Sequence, residues 1–175
     1  SAFADNLTDR HINGTDIVGT LLNNGNYLIA FAVFSAVGNN WDPTDVNYEP
    51  IHLIEANSTG QVVNRAILSG ISVSSSEVHA IKQLSNGEII LIASSYEGGA
   101  QTTENYTYMH RLSSTYDIIF EDLTPSAHLI SYYSKNQRVI YRNITELSNG
   151  NIFYRGRIYD SNSNEVGEEF DPWSL

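Results

Sequence analysis

The alternation of apolar and polar residues along the chain predicts β-strands almost throughout. Segments such as 78–84 (VHAIKQL) and 139–147 (VIYRNITEL) alternate with a period of two, as half-buried strands do. Two apolar runs, 26–34 (NYLIAFAVF) and 88–96 (EIILIASSY), predict strands that are buried on both faces. No window sustains the i, i+3, i+4 apolar spacing of an amphipathic helix. The pattern therefore favours an all-β fold.

One strand pattern occurs three times at a nearly constant spacing. In each copy a leucine, a polar residue, Asn and Gly precede an apolar run, and the glycines Gly25, Gly87 and Gly150 lie 62 and 63 residues apart. A period of this length is typical of propellers and stacked arrays. The Asn-Gly pair predicts a type I′ hairpin turn, in which both central residues have positive φ. The copies are LLNNGNYLIAF (21–31), QLSNGEIILIA (83–93) and ELSNGNIFYRG (146–156).

A second strand–turn–strand pattern follows each copy, at 51–67, 108–123 and 157–170. Each unit then has four antiparallel strands, as a propeller blade does. In the third copy only 14 residues separate Gly150 from Asn164, which predicts that this copy lacks one strand.

These patterns predict a single repeat-built β domain over residues 1–175, with three four-stranded, blade-like repeats at approximately 10–70, 71–125 and 126–175. Three blades are fewer than the four to eight of most propellers. The N-terminal segment 2–9 (AFADNLTD) is similar to 119–126 (IFEDLTPS), the end of a repeat, and is predicted to pair with the last sheet. We expect a β-propeller-like fold that is closed by this strand or by oligomerisation. A fragment of a larger protein and another all-β arrangement remain alternatives.

The charge balance restricts the choice of partners. The 175 residues carry a net charge of −11, with nine Lys and Arg against twenty Asp and Glu, so nucleic acids and acidic membrane surfaces are disfavoured. Cysteine is absent, which excludes disulfides, thiolate metal sites and cysteine nucleophiles. The longest apolar stretch, 27–33, is shorter than the ~20 residues of a membrane helix, so no membrane insertion is predicted. An acidic, cysteine-free chain rich in Asn, Ser, Thr and Tyr is typical of bacterial secreted and surface proteins.

The third copy resembles a repeat of large bacterial secreted proteins and adhesins of the calcium-dependent, type I-exported (RTX-like) class. In that repeat a Leu–polar–Asp/Asn–Gly strand leads to an aromatic-Asp-Ala/Ser-Asn-Gly-Asn turn and a Val-Gly-x-Glu-Phe strand. The first copy has Ala56 in place of the aspartate, and the second copy has no turn glycine. The resemblance implies a propeller-like blade in a secreted or cell-surface protein and assigns no catalytic residue. The matching residues are Leu147, Asn149, Gly150, Tyr159, Asp160, Asn162, Asn164, Val166, Gly167, Glu169 and Phe170.

Two loops combine aromatic rings with carboxylates and amides, at 38–50 and 96–108. Sugars bind to such sets because their C–H faces stack on rings while their hydroxyls bond to polar groups. The alternative is that Trp41 packs back on its own sheet. The candidate ligand-binding residues of the loops are Trp41, Asp42, Asp45, Tyr48, Tyr96, Glu97 and Tyr106.

Two histidines, His52 and His110, occupy matching places in the third strands of the first two copies. They are further candidates for ligand binding, in a repeated pocket. The alternative is that each is a hydrogen-bonded residue of its sheet.

Segment 160–171 (DSNSNEVGEEFD) imitates an oxygen-ligand calcium loop, with Asp160, Asn162 and Asn164 as candidate metal ligands. Its sixth position is Glu165, where the sharp turn of such a loop requires glycine. A hairpin turn made of residues that favour turns is the alternative explanation. Calcium is the one cofactor considered.

The sequence thus predicts an extracellular binding module, lectin- or adhesin-like, that holds a glycan or cell-surface ligand and forms a homo-oligomer. The first alternative is a structural or assembly repeat without a ligand pocket. The second is a glycoside hydrolase-type enzyme, for which two carboxylates must face each other across a cleft. No sequence feature pairs two carboxylates in this way.

Overall fold

A computed structural model describes residues 10–36, 46–48, 51–68, 75–96, 104–119, 127–134 and 143–167. All regular elements in these ranges are β-strands, which confirms the all-β class. No helix in these ranges is long and apolar enough to cross a membrane. The strands are β1 (Arg10–Leu21), β2 (Tyr27–Ala36), β3 (Val46–Tyr48), β4 (Ile51–Ala56), β5 (Val62–Leu68), β6 (Ser75–Gln83), β7 (Ile89–Tyr96), β8 (Glu104–Leu112), β9 (Ala127–Ser134), β10 (Thr145–Glu146), β11 (Ile152–Tyr154) and β12 (Arg157–Tyr159).

The strands form three antiparallel sheets, one for each copy of the repeat. Sheet 1 has the order β1-β2-β4-β5, with β3 paired to β2; sheet 2 has the order β6-β7-β8-β9; and sheet 3 has the order β10-β11-β12. Strand β9 pairs with β8, so the second unit extends to Ser134, past the predicted boundary near residue 125. The predicted closing segment 2–9 lies outside the described residues.

The Asn-Gly turns have one shared geometry, which differs from the predicted type I′. In the first turn the Leu22 N–H donates to the Asn26 carbonyl at 2.7 Å, and the Gly25 N–H donates to the Leu22 carbonyl at 2.9 Å. Only the glycine has a positive φ, 85° at Gly25. This is a three-residue loop, a type I turn followed by a left-handed residue. The type I′ prediction is wrong because the Asn24 side chain accepts a hydrogen bond from the Asn26 N–H at 2.9 Å, which stabilises the type I conformation.

Within the described residues, sheet 3 has three strands where sheet 2 has four, in agreement with the prediction that the third copy lacks one strand. Strands β11 and β12 are joined by two residues, Arg155 and Gly156, with φ of 55° and 79°. Two successive positive φ values make this the type I′ hairpin turn. The tight turn replaces the long loops of the other two sheets, so 14 residues hold both strands.

The sheets stack in the order of the chain, each with its front face on the back face of the next. We define the front face by Leu28 and its equivalents Ile90 and Phe153, and the back face by Ile29 and its equivalents Leu91 and Tyr154. One apolar cluster joins the front of sheet 1 to the back of sheet 2, and a second joins the front of sheet 2 to the back of sheet 3. The first cluster includes Leu28, Ala30, Leu53, Ile81, Ile89 and Leu91, and the second includes Leu84, Ile90, Ile92, Met109, Ile152 and Tyr154.

Burial on both faces is confirmed for β7 but holds for only part of β2, where Phe31 is buried on the back face and Tyr27 is not. Residues 89–93 of β7 are at most 1 % exposed, because sheet 2 lies between the other two. In β2, Leu28 is fully buried on the front face, whereas Tyr27 on the back face is half exposed. The exposure of Tyr27 goes with position in the stack, since the described residues place a neighbouring sheet on the front face of sheet 1 and none on its back face.

Candidate functional site

Exposed apolar side chains collect on the back face of sheet 1. Six of the eight large apolar side chains that are exposed in the described part of the chain lie there, each 45 to 59 % exposed. Exposed apolar clusters of this kind mark interaction sites. We call this set the back patch; its members are Ile17, Leu21, Tyr27, Val62, Val63 and Ile67.

Strand register explains why these residues share a face. Leu21 pairs with Tyr27, Tyr27 pairs with Ala56, and Ala56 pairs with Val62, so the four side chains form one row across the sheet. Val63 is the extra residue of a bulge next to this row. In a second row of the same face, Phe31 and His52 are buried between the exposed Ile17 and Ile67, so the patch surrounds covered rings.

A hydrogen-bonded carboxylate joins sheet 1 to sheet 2. Glu55, on the front face of β4, accepts bonds at Oε1 from the side-chain amides of Asn24 (3.0 Å) and Asn26 (2.6 Å). At Oε2 it accepts a bond from the hydroxyl of Tyr116 in sheet 2, at 2.5 Å. The bonds from Asn26 and Tyr116 lower the pKa of Glu55 from its ordinary value, although burial opposes them. Glu55 is therefore charged at neutral pH while it is buried between two sheets.

Tyr116 has a backbone conformation that normally requires glycine. It is the fourth residue of the second turn of sheet 2, where sheet 1 has Gly60, and its φ is 70°. A left-handed conformation costs an L-residue roughly 1–2 kcal/mol. Burial of the ring and the bond to Glu55 offset this cost. Burial and the nearby carboxylate also raise the pKa of the Tyr116 hydroxyl, which therefore remains a donor.

The equivalent position between sheets 2 and 3 has different polar residues. Arg111 stands where sheet 1 has Glu55, and its Nη2 pairs with the carboxylate of Glu88, the equivalent of Asn26. Ser163 stands where sheet 2 has Tyr116. Arg111 Nη1 and Ser163 Oγ are buried without a hydrogen-bond partner among the described residues.

A second kind of contact between sheets recurs at the Asn-Gly turns of sheets 1 and 2. The Asn23 N–H donates to Oε1 of Gln83 in sheet 2 at 2.7 Å, and the equivalent Ser85 N–H donates to Oε2 of Glu146 in sheet 3 at 2.8 Å. Gln83 and Glu146 occupy equivalent positions on the back faces of their sheets. In sheet 1 that position is Leu21, a member of the back patch.

The two candidate histidines are not at matching positions, contrary to the sequence prediction. His52 pairs with Phe31, whereas His110 pairs with Leu91, the equivalent of Ile29. His110 is therefore displaced by two residues, and Tyr108 is the residue that matches His52.

Both histidines are buried rather than presented on a shared surface. The ring of His52 stacks on Phe31, with centroids 5.4 Å apart. Burial lowers the pKa of His110 to about 4, so its ring is neutral at physiological pH. Its Nδ1 has no hydrogen-bond partner within the described segments.

The candidate calcium ligands are used by their own hairpin turn. Asp160 Oδ1 accepts hydrogen bonds from the N–H groups of Asn162 (2.8 Å) and Asn164 (2.9 Å), and the Asn164 bond is the main cause that lowers the pKa of Asp160. Asn57 makes the same two bonds in sheet 1, and Ser113 makes them in sheet 2. The turn geometry thus accounts for the acid–amide pattern without a metal.

Among the residues that the structure describes, no group of three or more His, Asp or Glu side chains could hold a metal ion. The acidic residues at the ninth and twelfth positions of this segment, Glu168 and Asp171, lie outside those residues. Calcium binding therefore stays a prediction.

The candidate loop residues are only partly described. Trp41, Asp42, Asp45 and Glu97 lie outside the described residues. The other three lie in strands: Tyr48 pairs with Phe34, Tyr96 pairs with Asn105, and Tyr106 pairs with Ser95 and Tyr132. The backbone therefore brings the three tyrosines Tyr96, Tyr106 and Tyr132 to one end of sheet 2, with Tyr106 and Tyr132 at paired positions and Tyr96 on the opposite face.

Sequence reasoning missed the back patch and the Glu55–Tyr116 contact. The signal for the patch was present in the alternation of 62–68 (VVNRAIL), but which face is covered depends on the stacking order. Tyr116, in place of a turn glycine, was the signal for the contact.

Comparisons with known proteins yield no relative. No family model matches the chain, and neither a curated protein nor a solved structure is significantly similar to it.

Proposed function

We propose that this chain is a structural assembly module, whose three sheets are blade-like units of a propeller-like stack and whose copies associate through the back patch. One observation carries the proposal. The same front-to-back contact is made twice within the chain by different residues, and six apolar side chains on the back face of sheet 1 are left exposed.

Comparison of equivalent residues supports association. Ile89 in sheet 2 is fully buried because sheet 1 covers it, whereas its equivalent in sheet 1, Tyr27, is half exposed. Burying apolar surface stabilises by roughly 25 cal/mol per Å². A second sheet on the back patch would therefore gain the stabilisation that the two internal contacts already have.

Light scattering over a range of protein concentrations tests this proposal. We expect a mass above the 19.5 kDa of one chain, rising with concentration. The double variant Leu21→Lys/Ile67→Glu should remain a monomer, because it places two charges in the patch. The control is Ile119→Lys, which changes an exposed apolar side chain after β8 of sheet 2 and should leave association intact. A wild-type mass of one chain at every concentration would contradict the proposal.

A second candidate function is glycan binding by a secreted or surface-displayed module, as the RTX-like resemblance and the loop composition suggest. The pairing of Tyr106 with Tyr132 at one end of sheet 2 favours it, because tyrosine is a residue type that suits sugar binding.

A glycan array at low and high calcium tests this second candidate. Hits are expected for the wild type, and Trp41→Ala should lose them with an unchanged melting temperature. An array without hits at high protein concentration would count against glycan binding. A large fall in the melting temperature of Trp41→Ala would assign that ring to packing.

A further inference from the structure

We infer that the back patch of one copy is covered by the front face of sheet 3 of a second copy, in a head-to-tail contact. The inference rests on the proposed function and adds to it the partner surface and its orientation. It follows from the order of the faces, from the residues that differ at the two ends of the stack, and from one recurring contact at the turns.

The order of the faces leaves one complementary pair. Within the chain a front face always meets a back face, and both junctions have an apolar cluster. The two faces left without a neighbouring sheet in the described part are the back of sheet 1 and the front of sheet 3. A second copy that continues the same order would bring these two faces together.

The front face of sheet 3 has apolar residues for such a contact, and these residues are only partly buried. Phe153 and Ile158 pair across β11 and β12 on this face and are half-buried. Leu147 is also half-buried, whereas its equivalents Leu22 and Leu84 are 6 % and 2 % exposed beneath their neighbouring sheets.

The residues at the two uncovered faces differ from their internal equivalents in a matched way. At each internal junction, a polar residue on the front face of one sheet is opposite a hydroxyl-bearing residue in the second turn of the following sheet. At the first junction these two residues are Glu55 and Tyr116. At the uncovered faces the same two positions are Ile158 and Gly60. Isoleucine requires no hydrogen bond, and a Cβ built on Gly60 would have no atom within 4 Å, so the turn leaves room for an apolar side chain.

The recurring turn contact predicts which residues meet between copies. Asn23 contacts Gln83, and Ser85 contacts Glu146, one repeat further along. The next pair in this series is Ser148 with Leu21 of the second copy. Leu21 offers no acceptor for the Ser148 N–H, so the contact between copies lacks this hydrogen bond and rests on the exposed apolar row around Leu21.

A head-to-tail contact has a defined consequence for assembly. Such contacts are heterologous, and they give closed rings when the rotation between units closes and filaments when it does not. Two copies would place six sheets in one front-to-back series. A two-fold symmetric pairing of two back patches would instead leave both sheet 3 front faces uncovered.

Crosslinking with introduced cysteines tests the orientation. Because the chain has no native cysteine, only the introduced residues can react with the crosslinker. A Leu21→Cys chain and a Ser148→Cys chain are mixed and treated with a short bismaleimide, and the products are separated by mass. The head-to-tail contact predicts a crosslinked dimer in the mixture and no dimer when either chain is treated alone. The positive control is Asn23→Cys/Gln83→Cys in one chain, an internal pair at the equivalent positions, which should crosslink within the chain.

The other outcomes separate this inference from the proposed function. A dimer from the Leu21→Cys chain alone would show two-fold pairing of back patches, which overturns the head-to-tail contact and leaves assembly standing. Association in light scattering without any crosslinked product would also overturn the orientation. A monomeric mass together with an absence of crosslinks would overturn both.

Discussion

The two sheet junctions of this chain share one apolar scheme and differ in their polar residues. At the first junction Glu55 is bonded by Asn24, Asn26 and Tyr116, so both carboxylate oxygens have partners. At the second junction Arg111 pairs through one nitrogen, and its other terminal nitrogen and the Ser163 hydroxyl have no partner in the described part.

This difference separates what holds the sheets together from what distinguishes one junction from the other. The stacking order is preserved although Glu55 is exchanged for an arginine, so the apolar positions are sufficient to set it. Polar groups between sheets stabilise only when all of them are satisfied, because an unpaired buried group costs about 1–3 kcal/mol. The Glu55 carboxylate of the first junction meets that condition, whereas His110 Nδ1 on the back face of sheet 2 and, at the second junction, Arg111 Nη1 and Ser163 Oγ do not.

The largest effects are expected from the apolar positions on the two faces of β7. Leu91→Ala removes side-chain volume from the first junction and Ile90→Ala from the second; both residues are fully buried, and each change should cost about 2–5 kcal/mol. Because sheet 3 has only short strands, Ile90→Ala should release it in a separate, earlier transition. Denaturant unfolding combined with hydrogen exchange at β11 and β12 measures this.

The control for this pair is Ile17→Ala, an exposed position on the back face, which should change the unfolding free energy little. A single transition in Ile90→Ala, with β11 and β12 exchanging together with β7, would show that the second junction is as strong as the first.

The sequence predicted the strands and the repeat because both are local properties. Alternation and turn residues act over a few positions, and the series of glycines at Gly25, Gly87 and Gly150 marks equivalent turns in three sheets. The turn type was predicted wrongly because Asn24, which tolerates a positive φ, here accepts a hydrogen bond in a type I turn instead.

The candidate site was less predictable because it depends on contacts between distant residues. Whether Tyr27 is covered or exposed is decided by the position of sheet 1 in the stack and by nothing within β2. The mismatch of His52 and His110 has a similar cause, since the pairing register across β7 and β8 was needed to show the displacement of two residues.

An intermediate effect is expected from the polar contact of the first junction. Tyr116→Phe removes one of the bonds to the buried Glu55 carboxylate, and it should cost about 1–3 kcal/mol. In a double-mutant cycle with Glu55→Gln, the double variant should lose less free energy of unfolding than the sum of the two single losses, because both changes remove the same bond. Additive losses would contradict a direct interaction between these groups in solution.

The same contact predicts a pH dependence with a definite sign. The pKa of Glu55 is lowered in the folded chain from its ordinary 4.5, so its stabilising contribution is complete above that value. This contribution is lost as pH falls through the lowered pKa of the folded chain. The difference in unfolding free energy between wild type and Glu55→Gln should therefore be constant near neutral pH and shrink below pH 4.5. Equal differences at neutral and acidic pH would contradict a charged, hydrogen-bonded Glu55.

The smallest expected effect, and the only gain, comes from the second junction. Ser163 combines a positive φ of 63° with a buried hydroxyl that lacks a partner among the described residues, and Gly60 occupies the equivalent position in sheet 1. Ser163→Gly removes the strain and the unpaired hydroxyl but increases the entropy of the unfolded chain, so a net stabilisation of about 1 kcal/mol is expected. Ser161→Gly is the matched control two residues away, since Ser161 is exposed and its φ is not positive, and it should destabilise slightly. If both variants lower the denaturation midpoint equally, the Ser163 hydroxyl must have a bonding partner in solution, and Arg111 Nη1 would be the remaining unpaired group of the second junction.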